Sequence, residues 1–384
     1  TQAAGLDRSG QDIKGFFNPD TYAEIDYAYI NTNVSAHDNA GTPFGITETE
    51  ADYKKGNDTG NATGDAYTFA RYGVKTDINE NISIGVFYDE PFGAEVEYKG
   101  DNNFVSRPGD NNFVTRPETA EGTPGAPIVL PQGAINPSVN DPNYNKNTSV
   151  NVHTESWTGL IGYKSNGFQV YGGPVMQKVK ADVHLRGKAY GPLTGYDANV
   201  NSDTDYGWVA GLAYSKPEIA LNAALTYRSE IDHKTAVGER IPLLGTGLKD
   251  IALGQLGIDP NSELGKSIGE YATTNATVST PESVNLNIQT GLSEKYQLLG
   301  TLDVRWVPWS DFSIVPPFYN AYSKAAVEEG LPLLSYEKDQ WKVDVGLAKR
   351  FNEKLAGSVV LGYDSGAGDP VSSLGTIDGF YSIG

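Results

Sequence analysis

Few side chains in this sequence are arranged to do covalent chemistry. There are four histidines, His37, His153, His184 and His233, and no cysteine. Thiol nucleophiles, disulfides and thiolate metal sites are therefore excluded. A hydrolytic centre needs a histidine oriented by an acid and next to a nucleophile or a water. The one suggestive pair is Asp232-His233. It lies at the end of an alternating run, where adjacent side chains point to opposite faces, so it does not form a dyad directly. No metal-ligand spacing and no glycine-rich phosphate loop is present. The expectation is a chain that is not an enzyme and carries no cofactor.

Apolar and backbone-breaking residues are more informative. The stretch 234–276 holds Ile241, Leu243, Leu244, Leu248, Ile251, Leu253, Leu256 and Ile258, with a short helix expected near 246–257. The stretch 315–335 adds Phe318, Tyr319, Tyr322, Leu331, Leu333 and Leu334. Two such apolar loops are expected to close over each other as a groove for a hydrophobic ligand. The alternative is that they pack only on one another or on lipid.

These loops need a scaffold, and the alternation of polarity supplies one. Strands are expected at 21–30, 66–76, 82–98, 149–164, 168–186, 205–214, 219–233, 277–292, 297–314, 336–350 and 355–363, with a twelfth starting at Gly379. Short connections (77–81, 165–167, 215–218, 293–296, 351–354) alternate with long ones (31–65, 99–148, 187–204, 234–276, 315–335, 364–378). That alternation is the topology of an outer-membrane barrel, with tight turns on one side and long loops on the other. Ser165-Asn166-Gly167 and Lys216-Pro217-Glu218 have suitable turn chemistry.

Composition agrees. Mean hydropathy is −0.40 and no apolar run is long enough for a membrane helix, yet aromatic residues reach 11%, with 44 Gly and 23 Tyr. The net charge of −19 argues against nucleic acid as a partner. Glu48, Glu50 and Asp52 assign part of it to solvated loops. Within strands, Arg71, Arg228, Glu230 and Asp232 alternate with apolar residues, so they are expected to face the lumen, since charge toward lipid costs about 2–4 kcal/mol at midplane.

Pro91 falls inside the third strand, in Asp89-Glu90-Pro91-Phe92-Gly93. Proline removes a ladder bond, and a closed barrel has no edge to hide it, so a kink or gap in the wall is expected. Its functional reading is a lateral opening; its plain reading is a bulge that shapes the wall. Pro174, after Gly172 and Gly173, is a second bulge candidate and is read as structural. Residues 1–20 form a short plug, in which Leu6, Ile13, Phe16 and Phe17 meet the lumen while Asp7, Arg8, Asp12 and Lys14 pair with its charges. Residues 21–384 form the barrel. Gly100–Pro108 recurs almost unchanged as Gly109–Pro117, which reads as loop expansion.

Several ordered blocks resemble the FadL-type family of long-chain fatty acid and hydrophobic compound transporters. They are Gly15-Phe16-Phe17-Asn18-Pro19-Asp20, Ile84-Gly85-Val86-Phe87-Tyr88-Asp89-Glu90-Pro91-Phe92-Gly93, Leu225-Thr226-Tyr227-Arg228-Ser229-Glu230, Thr280-Pro281-Glu282 and Trp306-Val307-Pro308-Trp309-Ser310-Asp311-Phe312. The resemblance implies an all-β, antiparallel transmembrane barrel of about 14 strands, of which 12 are visible and the last is truncated. It implies an N-terminal hatch containing Asn18 and Pro19, where the family's Asn-Pro-Ala reads Asn-Pro-Asp. It also implies passive uptake of fatty acids or aromatic hydrocarbons across a Gram-negative outer membrane, with lipopolysaccharide outside and the protein monomeric. Thr1-Gln2-Ala3-Ala4 reads as a mature start. The competing expectations are a general aqueous porin and an adhesive surface protein. Arg71, Lys75 and Arg228 are the candidates for meeting a ligand carboxylate.

Overall fold

Fifteen strands join in one antiparallel sheet because their alternating side chains give each an apolar outer face and a packed inner one. The structure is a computed structural model, and it describes residues 5–31, 35–37, 58–61, 67–114, 128–324, 327–368, 374 and 379–384. The strands are β1 (Tyr22–Ile30), β2 (Tyr67–Asp77), β3 (Ile82–Asp89), β4 (Gly93–Glu97), β5 (Ser149–Ser165), β6 (Phe168–His184), β7 (Asp197–Lys216), β8 (Leu221–Arg228), β9 (Ile231–Arg240), β10 (Tyr271–Thr280), β11 (Ser283–Ser293), β12 (Leu298–Val307), β13 (Gln340–Asn352), β14 (Leu355–Asp364) and β15 (Phe380–Ile383). The wall runs β1-β2-β3-β5-β6-β7-β8-β11-β12-β13-β14-β15, with β4 on β5, and β9 between β7 and β10. Glu48, Glu50 and Asp52 lie outside the described residues. No helix among the described residues is long and apolar enough to cross a membrane.

The outer face carries a belt. Ile84, Val86, Ile161, Val170, Leu212, Leu225, Val345, Leu347 and Leu361 are exposed. Aromatic pairs border it on one side, with ring centroids 4.9 Å apart for Tyr88–Trp157, 5.1 Å for Trp208–Tyr227 and 5.2 Å for Tyr363–Tyr381. Phe168–Tyr214, at 4.7 Å, borders the other side together with exposed Tyr163 and Phe351. Such girdles sit at the two membrane interfaces of a barrel. The turn at Asn166-Gly167 has positive φ at both residues (51° and 83°), the geometry that matches the twist of a two-residue hairpin.

Several expected strands prove to be broken or displaced. The run 82–98 is interrupted at 90–92. The run 219–233 is two strands, β8 and β9, that continue to Arg240, and 277–292 likewise begins at Tyr271 and breaks at Pro281-Glu282. Residues 234–240 and 271–276 therefore belong to the wall and not to a loop. The run 297–314 ends at Val307, because Pro308 cannot continue the ladder and Trp309–Asp311 turns. Strand β7 starts at Asp197, eight residues before the expected start at 205, since its polar residues face water above the girdle. Across Pro174 the register of β6 with β5 is unchanged (Gly172 opposite Ile161, Val175 opposite Thr158), so there is no bulge, only a short lapse in the ladder.

The break after β8 also reverses the facing of β9. Thr226 and Arg228 point inward, then Ile231 and His233 do, which leaves Glu230 and Asp232 outside. The expectation that Glu230 and Asp232 share the lumen with Arg228 fails for that reason.

Candidate functional site

The N-terminal segment, expected as a hatch and so called below, is held by charge, ring packing and backbone bonds. Asp7 and Arg305 form a buried bidentate pair at 2.8 and 2.9 Å. Gln11 Oε1 accepts from Arg305 Nη2 (3.1 Å) and from the Ser283 hydroxyl (2.6 Å). Asp12 lies 3.4 Å from Arg71, and Lys14 lies 3.1 Å from Asp303. Residues Lys14–Phe17 make a single 3-10 turn that drives Phe16 into a ring cluster with Phe17, Phe87 and Tyr171, at 5.9, 6.4 and 5.9 Å. Phe16 fits because β3 and β5 present Gly85 and Gly162 beneath it; a Cβ on either would stand 3.1 Å from the ring. Lys75 Nζ donates to the carbonyls of Asn18 (2.5 Å) and Asp20 (2.9 Å), fixing the Asn18-Pro19 segment where the hatch meets β1.

Arg71, Lys75 and Arg228 are thus engaged within the protein. Arg71 pairs with Asp26 at 2.8 Å as well as with Asp12. Arg228 is buried and donates to the Thr158 hydroxyl at 3.1 Å.

The break at Pro91 is a one-residue bulge. Asp89 stands opposite Ser156 and Gly93 opposite His153, so Glu90, Pro91 and Phe92 face only Thr154 and Glu155. On the β5 side the bulge is closed: the Phe92 N–H donates to the Thr154 hydroxyl (2.9 Å), and the Thr154 N–H donates to the Phe92 carbonyl (3.1 Å). On the β2 side the ladder ends at Tyr72–Tyr88, and the described pairing of β4 is with β5 alone.

The hatch fills the resulting gap. Arg8 N–H donates to the Pro91 carbonyl and Gly93 N–H to the Leu6 carbonyl, both at 2.8 Å. The Ser9 hydroxyl donates to Asp89 at 2.7 Å. Arg8 lies 4.5 Å over the Tyr67 ring of β2, and a Cβ on Gly93 would meet its guanidinium at 2.5 Å. A larger residue at 93 would push the Arg8 guanidinium from this place.

Above the hatch lies a narrow apolar cavity. Leu6 of the hatch, Phe92 of the bulge, and Trp309, Phe312 and Ile314 of the connection after β12 line it, with Val152, Val179, Val200 and Val278 from the wall. Its polar members Thr154 and Thr280 bond to the Phe92 carbonyl (2.7 Å) and to Gln177 (2.6 Å), so their methyl groups are left to face the space. Trp309 packs edge-on against Phe92 at 5.7 Å and is held by its indole N–H on Gln340 at 2.8 Å.

The two apolar loops pack into the core that surrounds this cavity. Ile241, Leu243, Leu244, Tyr322 and Leu333 are buried in the same core as Leu6 and Trp309; Leu248, Leu256 and Phe318 are packed against it. Ile251 is exposed. A helix at Lys249–Gln255 matches the one expected there. None of these nine residues lines the cavity itself. Of the residues that do line it, Leu6 and Phe92 were expected at the hatch and at the break in the third strand, Trp309 and Phe312 fall in the aromatic run 306–312, and the wall valines carried no signal of their own.

A buried carboxylate ties the loops together. Glu239 accepts from the N–H groups of Phe318 (2.9 Å) and Tyr319 (2.8 Å) and from the Tyr196 hydroxyl (2.7 Å). Burial pushes the Tyr319 phenol up to about 12, and burial with the Glu239 carboxylate pushes Tyr196 higher still, so both stay neutral and the Tyr196 hydroxyl remains a donor to Glu239. Glu239→Ala leaves these donors without an acceptor, at about 1–3 kcal/mol for each buried group. Hydrogen exchange of amides 318–323 should then rise roughly tenfold or more. Unchanged exchange would mean that ring packing alone holds the loop.

The histidine reading is resolved by geometry. His233 is buried and bonds Asp203 (3.2 Å) and Gln177 (3.0 Å), while Asp232 points outward to the Ser279 hydroxyl (2.5 Å). The nine-residue repeat takes two conformations. In the first copy Phe104 stacks on Tyr98 at 4.6 Å, and the Ser106 hydroxyl accepts from Gly187 N–H. In the second, Asn111–Val114 pairs with Ile128–Pro131, and 115–117 lie outside the described residues.

No protein-family model matches the sequence, and no curated protein does. Among solved structures, a Pseudomonas aeruginosa FadL homologue superposes with a TM-score of 0.53 at 15% identity, covering 91% of this chain and 71% of that one. A TodX deltaS2S3 mutant monoaromatic hydrocarbon channel gives 0.54 at 12% identity, covering 96% and 81%. The chain has the fold of a FadL-type β-barrel.

Proposed function

We propose that this chain, as a FadL-type barrel, is an outer-membrane channel for passive entry of hydrophobic molecules, fatty acids or aromatic hydrocarbons. The observation that carries the reading is the apolar cavity, which touches Leu6 of the N-terminal segment, Phe92 of the bulge and the connection after β12 at once, within the core that the two apolar loops complete. Its downward path is blocked by polar bonds around Asp7, Gln11 and Arg305 and by the Phe16 ring cluster. Its side wall is the place where β4 lacks a neighbour from β2 and the hatch segment Leu6–Arg8 substitutes for it. The cavity has a volume of about 20 Å³, room for a water-sized group only, so an apolar solute that enters through the loops parts Leu6, Phe92 and Trp309 to occupy it and leaves sideways past Phe92 once Leu6–Arg8 withdraws. The names of the two structural neighbours, a FadL homologue and a monoaromatic hydrocarbon channel, support the ligand class.

The test is uptake of labelled long-chain fatty acid and of labelled toluene by cells whose own uptake route is deleted. The chain should raise uptake of at least one above the empty-vector level, and Leu6→Asp, which puts a charge in the cavity, should remove the gain. Passage of small ions without either hydrophobe would replace this reading with an aqueous porin.

A further inference from the structure

Three donor side chains converge outside the cavity, on the outer face of the bulge. Glu90 is itself a bulge residue. His153 and Glu155 lie two apart on β5, alternating with buried Val152, Thr154 and Ser156, so both project outward. One ligating atom from each of the three lies within 4.8 Å of the others. His153 Nε2 is 3.5 Å from Glu90 Oε1 and 3.4 Å from Glu155 Oε1. Both separations exceed the roughly 2.7–2.9 Å of a charge-assisted hydrogen bond. They fit the edge of a tetrahedron around Zn²⁺, where bonds of about 2.0–2.2 Å put neighbouring donor atoms about 3.3–3.5 Å apart.

Glu90 is already aimed. Its Oε2 accepts from the Ala70 N–H at 3.0 Å and its Oε1 from the Tyr88 hydroxyl at 3.4 Å. Outer partners of this kind orient metal ligands. Two carboxylates face one imidazole, while Arg8, on the inner side of the bulge, interacts with the charge of Glu90. Lys178 stands opposite Glu155 and Lys180 opposite His153, but neither forms an ion pair with the cluster among the described residues.

The geometry points to a divalent-metal site in which Glu90, His153 and Glu155 bind Zn²⁺ or a similar transition ion, with the fourth position open to water. One imidazole and two carboxylates suit such an ion better than Ca²⁺ or Mg²⁺, which prefer oxygen alone. A bound ion ties the residue before Pro91 to two residues of β5 across the bulge. The site stands on its own donors and does not depend on the transport reading.

The full chain in detergent micelles, stripped with a chelator, is titrated with Zn²⁺ by calorimetry and with Cu²⁺ by electron paramagnetic resonance. One Zn²⁺ per chain is expected, and the Cu²⁺ spectrum should show imidazole nitrogen. His153→Ala should lose both signals and Glu155→Gln should weaken Zn²⁺ binding roughly tenfold or more, while His37→Ala and His184→Ala bind as the parent does. Folding of each variant is checked by heat-modifiable gel mobility, and Glu155→Gln decides if His153→Ala fails to fold. No stoichiometric binding by the parent, or equal binding by the folded variants, overturns the site and leaves the imidazole merely sharing a proton with its neighbours.

Discussion

Arg305→Ala is expected to release the hatch. Asp7 and Arg305 are both buried, and their two bonds are the shortest link between the N-terminal segment and β12. Removing the arginine leaves the Asp7 carboxylate in a dry site without its partner, which costs about 3–5 kcal/mol. That is enough to shift docking of residues 6–8 by more than about a hundredfold. Gln11 loses a donor in the same step. The hatch should become sensitive to added protease, and ion conductance in planar bilayers should rise well above the parent's. Combining Arg305→Ala with Asp7→Asn should recover part of the protection, because no charge is then stranded. If the single variant stays as resistant and as closed as the parent, the ring cluster around Phe16 holds the hatch without help from the ion pair.

Deleting Pro91 is the second change with a large expected effect. The bulge sets three residues against two. Removal of one gives equal counts, with Glu90 opposite Glu155 and Phe92 opposite Thr154. Phe92 then still faces inward, as it does now, so the variant keeps its core and gains a regular ladder. The wall should close against β2, displacing Arg8 from its place over Tyr67. Uptake of the hydrophobic solute should fall to that of cells without the protein, while gel mobility and strand content stay those of the parent. Full uptake by a folded deletion variant would show that solute does not pass this way.

The strands were legible because alternation over many residues has no competing explanation. The position of the third-strand break was legible for a different reason: proline has no N–H to give a ladder, wherever it sits. The break at 281–282 carried the same signal in Pro281 and was read through, whereas the break at 229–230 was harder to see. Apolar and polar residues keep alternating through Ser229-Glu230-Ile231, and nothing in that string announces that its facing reverses after the break. The misplacement of Glu230 has that origin. Likewise Ile241, Leu243 and Leu244 were legible as apolar and out of place in a solvated loop, but nothing in the string announces Glu239, which accepts from Tyr196, Phe318, Tyr319 and Thr274 beside them. The Glu90, His153 and Glu155 cluster was invisible to motif spacing because its first member comes from outside β5, far away in the chain.

The girdles also divide the molecule by height. On β5, the six steps from Trp157 to Tyr163 cover about 20 Å along the strand, and the eight residues Ser149–Ser156 beyond them cover about 27 Å more. Much of the barrel therefore stands clear of the bilayer like a chimney, and the cavity, bounded by Val152, Val179 and Val200, lies in that raised part. A solute dissolved poorly in water need not diffuse down to the lipid surface before it meets an apolar environment. For a channel of the kind proposed above, the raised wall would shorten the unassisted stretch of the solute's journey, through a hydrated layer that tends to exclude it.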